Sequence, residues 1–266
     1  MKFSIVTISY NQAEFLEQTI RSVLDQDYDD IEYIVVDPGS TDGSREIIER
    51  YRERISTIIF EPDRGAADGL NKGFAHAHGD IYGFLNSDDV LLPGAIRRAA
   101  AYFRARPETE ILMGHEWIID SEGRKVRKAY TDRFNARAFA YSAGVIAQQS
   151  TFFRAGLFKR TKGFDTHLTV YWDGELFLDL LEATEKQLYA DDFFGAFRIH
   201  GESITGGQKL EDASRAYELA RFERIMGRRW RRSDHLVRLF YRVRKYILEP
   251  RALMEWLRYG SINKGL

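Results

Sequence analysis

The sequence predicts an α/β fold: a doubly wound, mixed and mostly parallel sheet of Rossmann-like type, with a helical extension at its C-terminal end. Three observations carry this. Over residues 1–110, short β-rich runs alternate with helix-period segments, which is the pattern of βαβ units. The strands run into polar loops, so their polar residues gather along one edge of the sheet, where open α/β sheets bind ligands. Finally, residues 227–266 carry eleven Lys/Arg against three Asp/Glu, or +8 in a chain whose net charge is −1, so this segment is a different kind of surface.

Phe3 to Ser9 reads as a buried strand, after which Phe15, Leu16, Thr19, Ile20 and Val23 recur at helical spacing. Ile31 to Val36 is a second strand that closes on Asp37. Ser40 to Ser44 supplies turn and cap chemistry for a helix carrying Ile47, Ile48 and Tyr51. Ile55 to Phe60 is a third strand, and a helix is expected from about Asp68 to His78. The fourth strand, Ile81 to Leu85, runs at once into Asn86-Ser87-Asp88-Asp89 and a helix beginning at Pro93. Beyond residue 110 the pattern changes. Ile111 to Ile119, a turn at Asp120 to Gly123 and Lys125 to Ala129 predict an antiparallel hairpin, expected to wall one side of the cleft. Asp173 to Glu182 is helical, with Leu176, Phe177, Leu180 and Leu181 on one face, and Phe193 to Ile199 reads as a strand before His200.

At 266 residues the chain is near the upper limit for one hydrophobic core, so one main domain with an appendage is expected. No run approaches the roughly 20 consecutive apolar residues of a membrane span, and the opening MKFSIVTISYNQ turns polar too soon for a signal peptide. A cytoplasmic location is therefore expected. With no cysteine, thiolate metal sites and a cysteine nucleophile are excluded, so any metal must be held by Asp, Glu, His or the substrate.

Asp88-Asp89 after an apolar strand concentrates charge that a cation or hydrogen-bond donors must offset. An isolated Asp-Asp pair is more often a helix N-cap. With Asn86 nearby, all-oxygen ligation suits Mg or Mn better than Zn, and a nucleotide diphosphate would complete the shell. Asp37 opens the run Asp-Pro-Gly-Ser-Thr-Asp-Gly-Ser, where a carboxylate either accepts a base N–H or closes a capped turn. Arg64, Asp68 and Lys72 lie about a Gly-containing helix start that could set cations near a pyrophosphate; solvated charge is the alternative. No G-x-G-x-x-G follows the first strand and no Walker A sequence occurs, which removes the main support for dehydrogenase and P-loop readings. No nucleic-acid partner is expected.

Taken together, these stretches resemble the family 2 glycosyltransferases of GT-A fold, particularly bacterial enzymes of surface-polysaccharide assembly. The matching segments are Ser4 to Asn11, Asp37 to Ser44, Glu61 to Gly65, Asn71 to Gly73, Gly79-Asp80, Leu85 to Asp89, Gln149 to Arg154 and Gly163 to Asp165. The resemblance covers residues 1–207, a catalytic domain with a nucleotide-binding half (1–110) and an acceptor half (111–207), leaving 208–266 as the basic helical extension. It implies an inverting glycosyltransferase using a nucleotide-sugar donor, UDP-linked, with Mn or Mg as cofactor and a saccharide or lipid-linked acceptor. Thr7, Tyr10 and Asp37 would hold the base, with Asn11 beside them. Asp88 and Asp89 form the D-x-D-type element, and His200, in an H-x-x-S context with Ser203, approaches the metal and diphosphate. The sequence departs from D-x-D in reading Asn86-x-Asp88-Asp89; Asp89 is favoured as the ligand. Asp173, in Trp172-Asp173-Gly174-Glu175, matches the family's acidic position and is the expected base, with Glu175 second and a plain helix N-cap the alternative reading.

Two other readings compete: a nucleotidyltransferase, whose glycine-rich basic loop after strand one is missing, and a catalytically silent nucleotide-sugar-binding module. In the basic segment, Leu236, Leu239, Phe240, Val243 and Ile247 oppose Arg238, Arg242 and Lys245, as in an interfacial helix on an anionic membrane at its inner face. Packing on the catalytic domain or a partner is the alternative.

Overall fold

A computed structural model of the chain describes residues 1–201 and 211–260. The first half of its sheet is all parallel. β1 (Phe3–Ile8) lies between β2 (Ile31–Val36) and β4 (Ile81–Asn86), and β3 (Thr57–Ile59) extends the edge beyond β2. The second half is mixed: β8 (Thr151–Arg154) runs antiparallel to both β4 and β6 (Ile111–Ile119), and β9 (Gln187–Arg198) runs parallel to β6. The short β5 (Val90–Leu91) pairs antiparallel with β9.

The pleat divides the core between two faces. Phe3, Ile5, Tyr33 and Val35 meet α1 (Ala13–Leu24), α2 (Ser44–Arg50) and α4 (Ala95–Ala105) through Leu16, Ile20, Ile48 and Phe103. Val6, Ile34 and Val36 meet α3 (Ala66–Ala75) and α7 (Trp172–Glu182) through Leu70, Phe74, Leu176 and Phe177. Close approach of α3 to the sheet requires Gly73, where a Cβ would overlap the Val6 side chain.

The expected hairpin exists, as β6 paired with β7 (Lys125–Ala129), but it does not wall the nucleotide cleft. β6 is instead an interior strand of the main sheet, and β7 carries the C-terminal helices. β9 is also longer than its apolar run suggests. It begins at Gln187, before the expected Phe193; the register shifts at Asp191-Asp192 in a bulge, and the two carboxylates pair with Arg251 and Arg98.

The C-terminal extension is helical: α8 (Glu211–Met226), α9 (Asp234–Leu248) and α10 (Pro250–Tyr259). It is anchored near α5 (Ala136–Ala140), where Tyr141 packs on Phe222, Trp230 and Tyr241. Asp234, 1% exposed, accepts the Tyr141 hydroxyl at 2.8 Å and two bonds from Arg228. The expected boundary at residues 207 and 208 lies outside the described residues.

Candidate active site

The loops after β1, β2, β3 and β4 meet at one sheet edge and enclose a cleft of about 630 Å3. Its walls include Ser9 and Tyr10, Pro38-Gly39, Asp63, Asn86, Asp88 and Trp172. Tyr10 is 62% exposed there, an aromatic face open for stacking on a base.

Asp88 and Asp89 have opposite environments. Asp89 is fully buried: Oδ1 accepts the Arg198 backbone N–H at 2.9 Å, and Oδ2 accepts the Gln149 amide at 2.5 Å and the Asn86 amide at 3.2 Å. Burial, reinforced by the charge of Asp88, raises its carboxyl well above the ordinary carboxylate range. Asp88 lines the cleft, and its Oδ2 lies 3.0 Å from His200 Nε2. The geometry favours Asp88 over the expected Asp89 as the residue to meet a metal, because the Asp89 oxygens accept from internal donors and the carboxylate facing the cleft is that of Asp88. Ser203, the other half of the H-x-x-S context, lies outside the described residues.

Arg198, the last residue of β9 and two before His200, organises this corner. Its Nε donates to the Asp88 carbonyl at 2.7 Å, Nη1 to the carbonyls of Asp120 and Ser121, and Nη2 to Gln18. The side chain is fully buried over the Phe15 ring. Neither Arg198 nor Gln149 stood out in sequence as a site residue. The available signals were the period-two spacing from Arg198 to His200 and the position of Gln149 in a family-like stretch.

Asp88 and His200, with side chains 16% and 6% exposed, offer one oxygen and one nitrogen donor of the kind a divalent cation takes. A carboxylate oxygen and an imidazole nitrogen converge, while no group of three or more His, Asp or Glu suited to a metal occurs among the described residues. The donor's diphosphate and water would supply the remaining positions.

Several expected nucleotide contacts turn out to build the loops. Thr7 is fully buried and its hydroxyl accepts from Tyr33, because strand alternation turns it into the core. Asp37 is also fully buried, accepting the Gly39 and Ser40 N–H groups, the Ser40 hydroxyl and Arg45 Nε. It thus shapes the Pro38-Gly39 wall from beneath, with no exposed surface of its own. Asn11, at φ 50°, accepts the Thr41 N–H and ties the first loop to the second. Asp68 accepts the Arg64 N–H at 3.0 Å at the α3 start, Lys72 donates to the Pro62 carbonyl, and Arg64 projects into solvent, 77% exposed. Asp63, unassigned from sequence, does line the cleft, and burial raises its pKa.

On the opposite side, Trp172 opens α7 and enters the cleft wall. Asp173 follows, its carboxyl raised by burial. Glu175 faces α8 instead, accepting the Tyr217 hydroxyl at 2.8 Å and an ion pair from Arg224. Behind Asp173 stands Glu116 of β6, 8% exposed and pushed up to about 8 by burial and then by the Asp173 charge.

Strand order, crossover helices and a carboxylate-bearing cleft at the parallel strand ends define the GT-A fold, a nucleotide-sugar transferase architecture. The chain belongs to glycosyl transferase family 2, whose profile matches residues 4–161. An uncharacterised glycosyltransferase of Nostoc is 37% identical over 134 residues, which is 49% of this chain and 41% of the relative. The O-antigen biosynthesis protein RfbC of Myxococcus xanthus is 35% identical over 128 residues, 46% of this chain but 10% of RfbC. The chain thus matches less than half the length of either. Among solved structures, TarS of S. aureus, residues 1–349 in complex with UDP-GlcNAc, superposes with a TM-score of 0.67 at 19% identity, covering 96% of this chain and 79% of the other.

Proposed function

We propose that the protein is a metal-dependent, inverting glycosyltransferase that moves a sugar from a UDP-linked donor to a saccharide or lipid-linked acceptor in bacterial surface-polysaccharide synthesis. The carrying observation is Asp88 in the cleft at the ends of the parallel strands, with His200 Nε2 behind it 3.0 Å from its Oδ2. Tyr10 stacks on the base and the Pro38-Gly39 backbone edges it; Asp88 and His200 would hold Mn or Mg. When bound, that cation neutralises charge developing on the departing diphosphate. Asp173 removes the acceptor proton as the hydroxyl oxygen bonds to the anomeric carbon, and the bond from that carbon to the diphosphate oxygen breaks. A single displacement of this kind inverts the anomeric centre. Glu175, tied to Arg224, is left to hold α8 against α7.

The exposed apolar face of α9 and α10 supports docking on an anionic membrane, which would bring a lipid-linked acceptor within reach. Among the described residues no helix is long and apolar enough to cross a membrane.

A panel of nucleotide sugars, with and without Mn and an acceptor mixture, tests the reading through release of nucleoside diphosphate and thermal protection. Release with one donor, dependent on cation and lost in Asp88→Ala, is expected. Pyrophosphate release from a nucleotide triphosphate would identify a nucleotidyltransferase instead, and donor binding without release a silent module.

A further inference from the structure

A second cavity, of about 520 Å3, lies between β7, α9, α10 and the loop at 142–145, and it shares no lining residue with the nucleotide cleft. Its charge is lopsided. Arg127, Lys128, Arg242 and Lys245 line it against one carboxylate, Glu255. Lys245 is spent on Asp132 at 3.1 Å, and Glu255 accepts the Lys128 backbone N–H at 3.0 Å. Arg127 is 8% exposed; its Nη1 donates to the Gly260 carbonyl at 2.8 Å, while its Nε is wholly buried without a hydrogen-bond partner. Burying a guanidinium is costly, and an unsatisfied donor on it asks for an acceptor that enters from outside. Arg242, exposed at the same cavity, has no ion-pair partner among the described residues.

What borders the cavity says which acceptor. On α9, Arg242 and Tyr246 form one i,i+4 row, and the next row is Leu239 and Val243, 57% and 51% exposed. Phe240 and Ile247 continue that face at 61% and 72% exposure, and Leu257 of α10 is 69% exposed. Trp256 belongs to both surfaces, lining the cavity while 44% exposed. A cationic hollow opening beside an apolar helix face, with a tryptophan at the boundary, matches one amphiphile: phosphate in the hollow, acyl chains along the face.

We propose that this cavity is a headgroup site in which Arg127 and Arg242 bind the phosphate of an anionic phospholipid. The proposal rests on the membrane docking above and sharpens it, since general basic attraction has no preferred arginine whereas a built site does.

The test uses the full chain with phosphatidylglycerol/phosphatidylcholine vesicles, dihexanoyl phosphatidylglycerol below its micelle concentration, and inorganic phosphate. Arg242→Gln should weaken binding to vesicles and to the short-chain lipid by roughly 10- to 100-fold, as for loss of a charge-assisted contact. Arg232→Gln, an exposed control in the same basic segment, should cost about fivefold or less on vesicles and nothing on the short-chain lipid. Arg127→Lys, checked for an unchanged melting temperature, should follow Arg242→Gln. Equal losses for Arg242→Gln and Arg232→Gln would overturn the site while leaving docking intact. Inorganic phosphate competing as well as the lipid would also overturn it, in favour of a free-anion pocket. Short-chain lipid binding that needs Arg242, without vesicle binding, would keep the site and remove the docking; no binding to either removes both.

Discussion

Two carboxylates at the start of α7 have been given different work by their neighbours. Glu175 is engaged by Tyr217 and Arg224, whereas Asp173 has no salt-bridge partner among the described residues and is raised by burial. A raised pKa makes Asp173 a stronger base and offsets the opposing effect of the helix N-terminus. Asp173→Asn should therefore bind donor near wild type and lose roughly 10²- to 10⁴-fold in turnover. Glu175→Gln, weakening a partly exposed ion pair, should change turnover by less than about tenfold. The reverse ranking would move the base to Glu175. At the same scale lies the lesson of Asp88-Asp89: the pair is visible in sequence, but the division between a buried carboxylate and one facing the cleft is set by Arg198, Gln149 and Asn86. Those partners lie in distant segments or are too ordinary to signal the division.

Among the elements, the strands of the first half were legible because helices cover both faces, so each reads as a near-continuous apolar run ending in polar residues, and Ile31–Val36 has the bounds expected of it. The two-residue β5 and the four-residue β8 were not anticipated. Their strand character comes from pairing with β9, β4 and β6, and segments that short carry no period of their own. α9 is legible as amphipathic, yet its sequence cannot say which side is covered. In the fold its inner side meets the domain through Tyr241 and Lys245, and its apolar row stays outside. Phe240→Ser combined with Ile247→Ser should leave the melting temperature unchanged, since both side chains are mostly solvent-exposed, and should abolish co-sedimentation with anionic vesicles. Unchanged partitioning would remove the membrane role.

At the level of the whole molecule, the acids buried about the cleft couple folding to pH. Glu116 titrates at about 8 in the fold, against an ordinary value near 4.5 in the open chain. An acid whose pKa is raised on folding contributes stability while protonated and loses it as pH rises. Stability should therefore fall between about pH 4.5 and 8, by up to ~1.4 kcal/mol per pH unit from this group. Glu116→Gln should flatten that slope in thermal melts, and an identical slope in the variant would show that Glu116 is not the titrating group. Such coupling is invisible in a linear chain, where Glu116 and Asp173 are far apart. The alternation of strands and helices, the gathering of polar loops at one sheet edge and the family resemblance could all be read from residue order, because periodicity and turn chemistry are local. Which side chains face the cleft was decided by tertiary structure. Thr7 and Asp37 turned inward to build walls, Asp88 turned outward, and the basic extension enclosed a cavity against β7. Burial, and the hydrogen bonds that burial demands, depend on segments that meet only once the chain has folded.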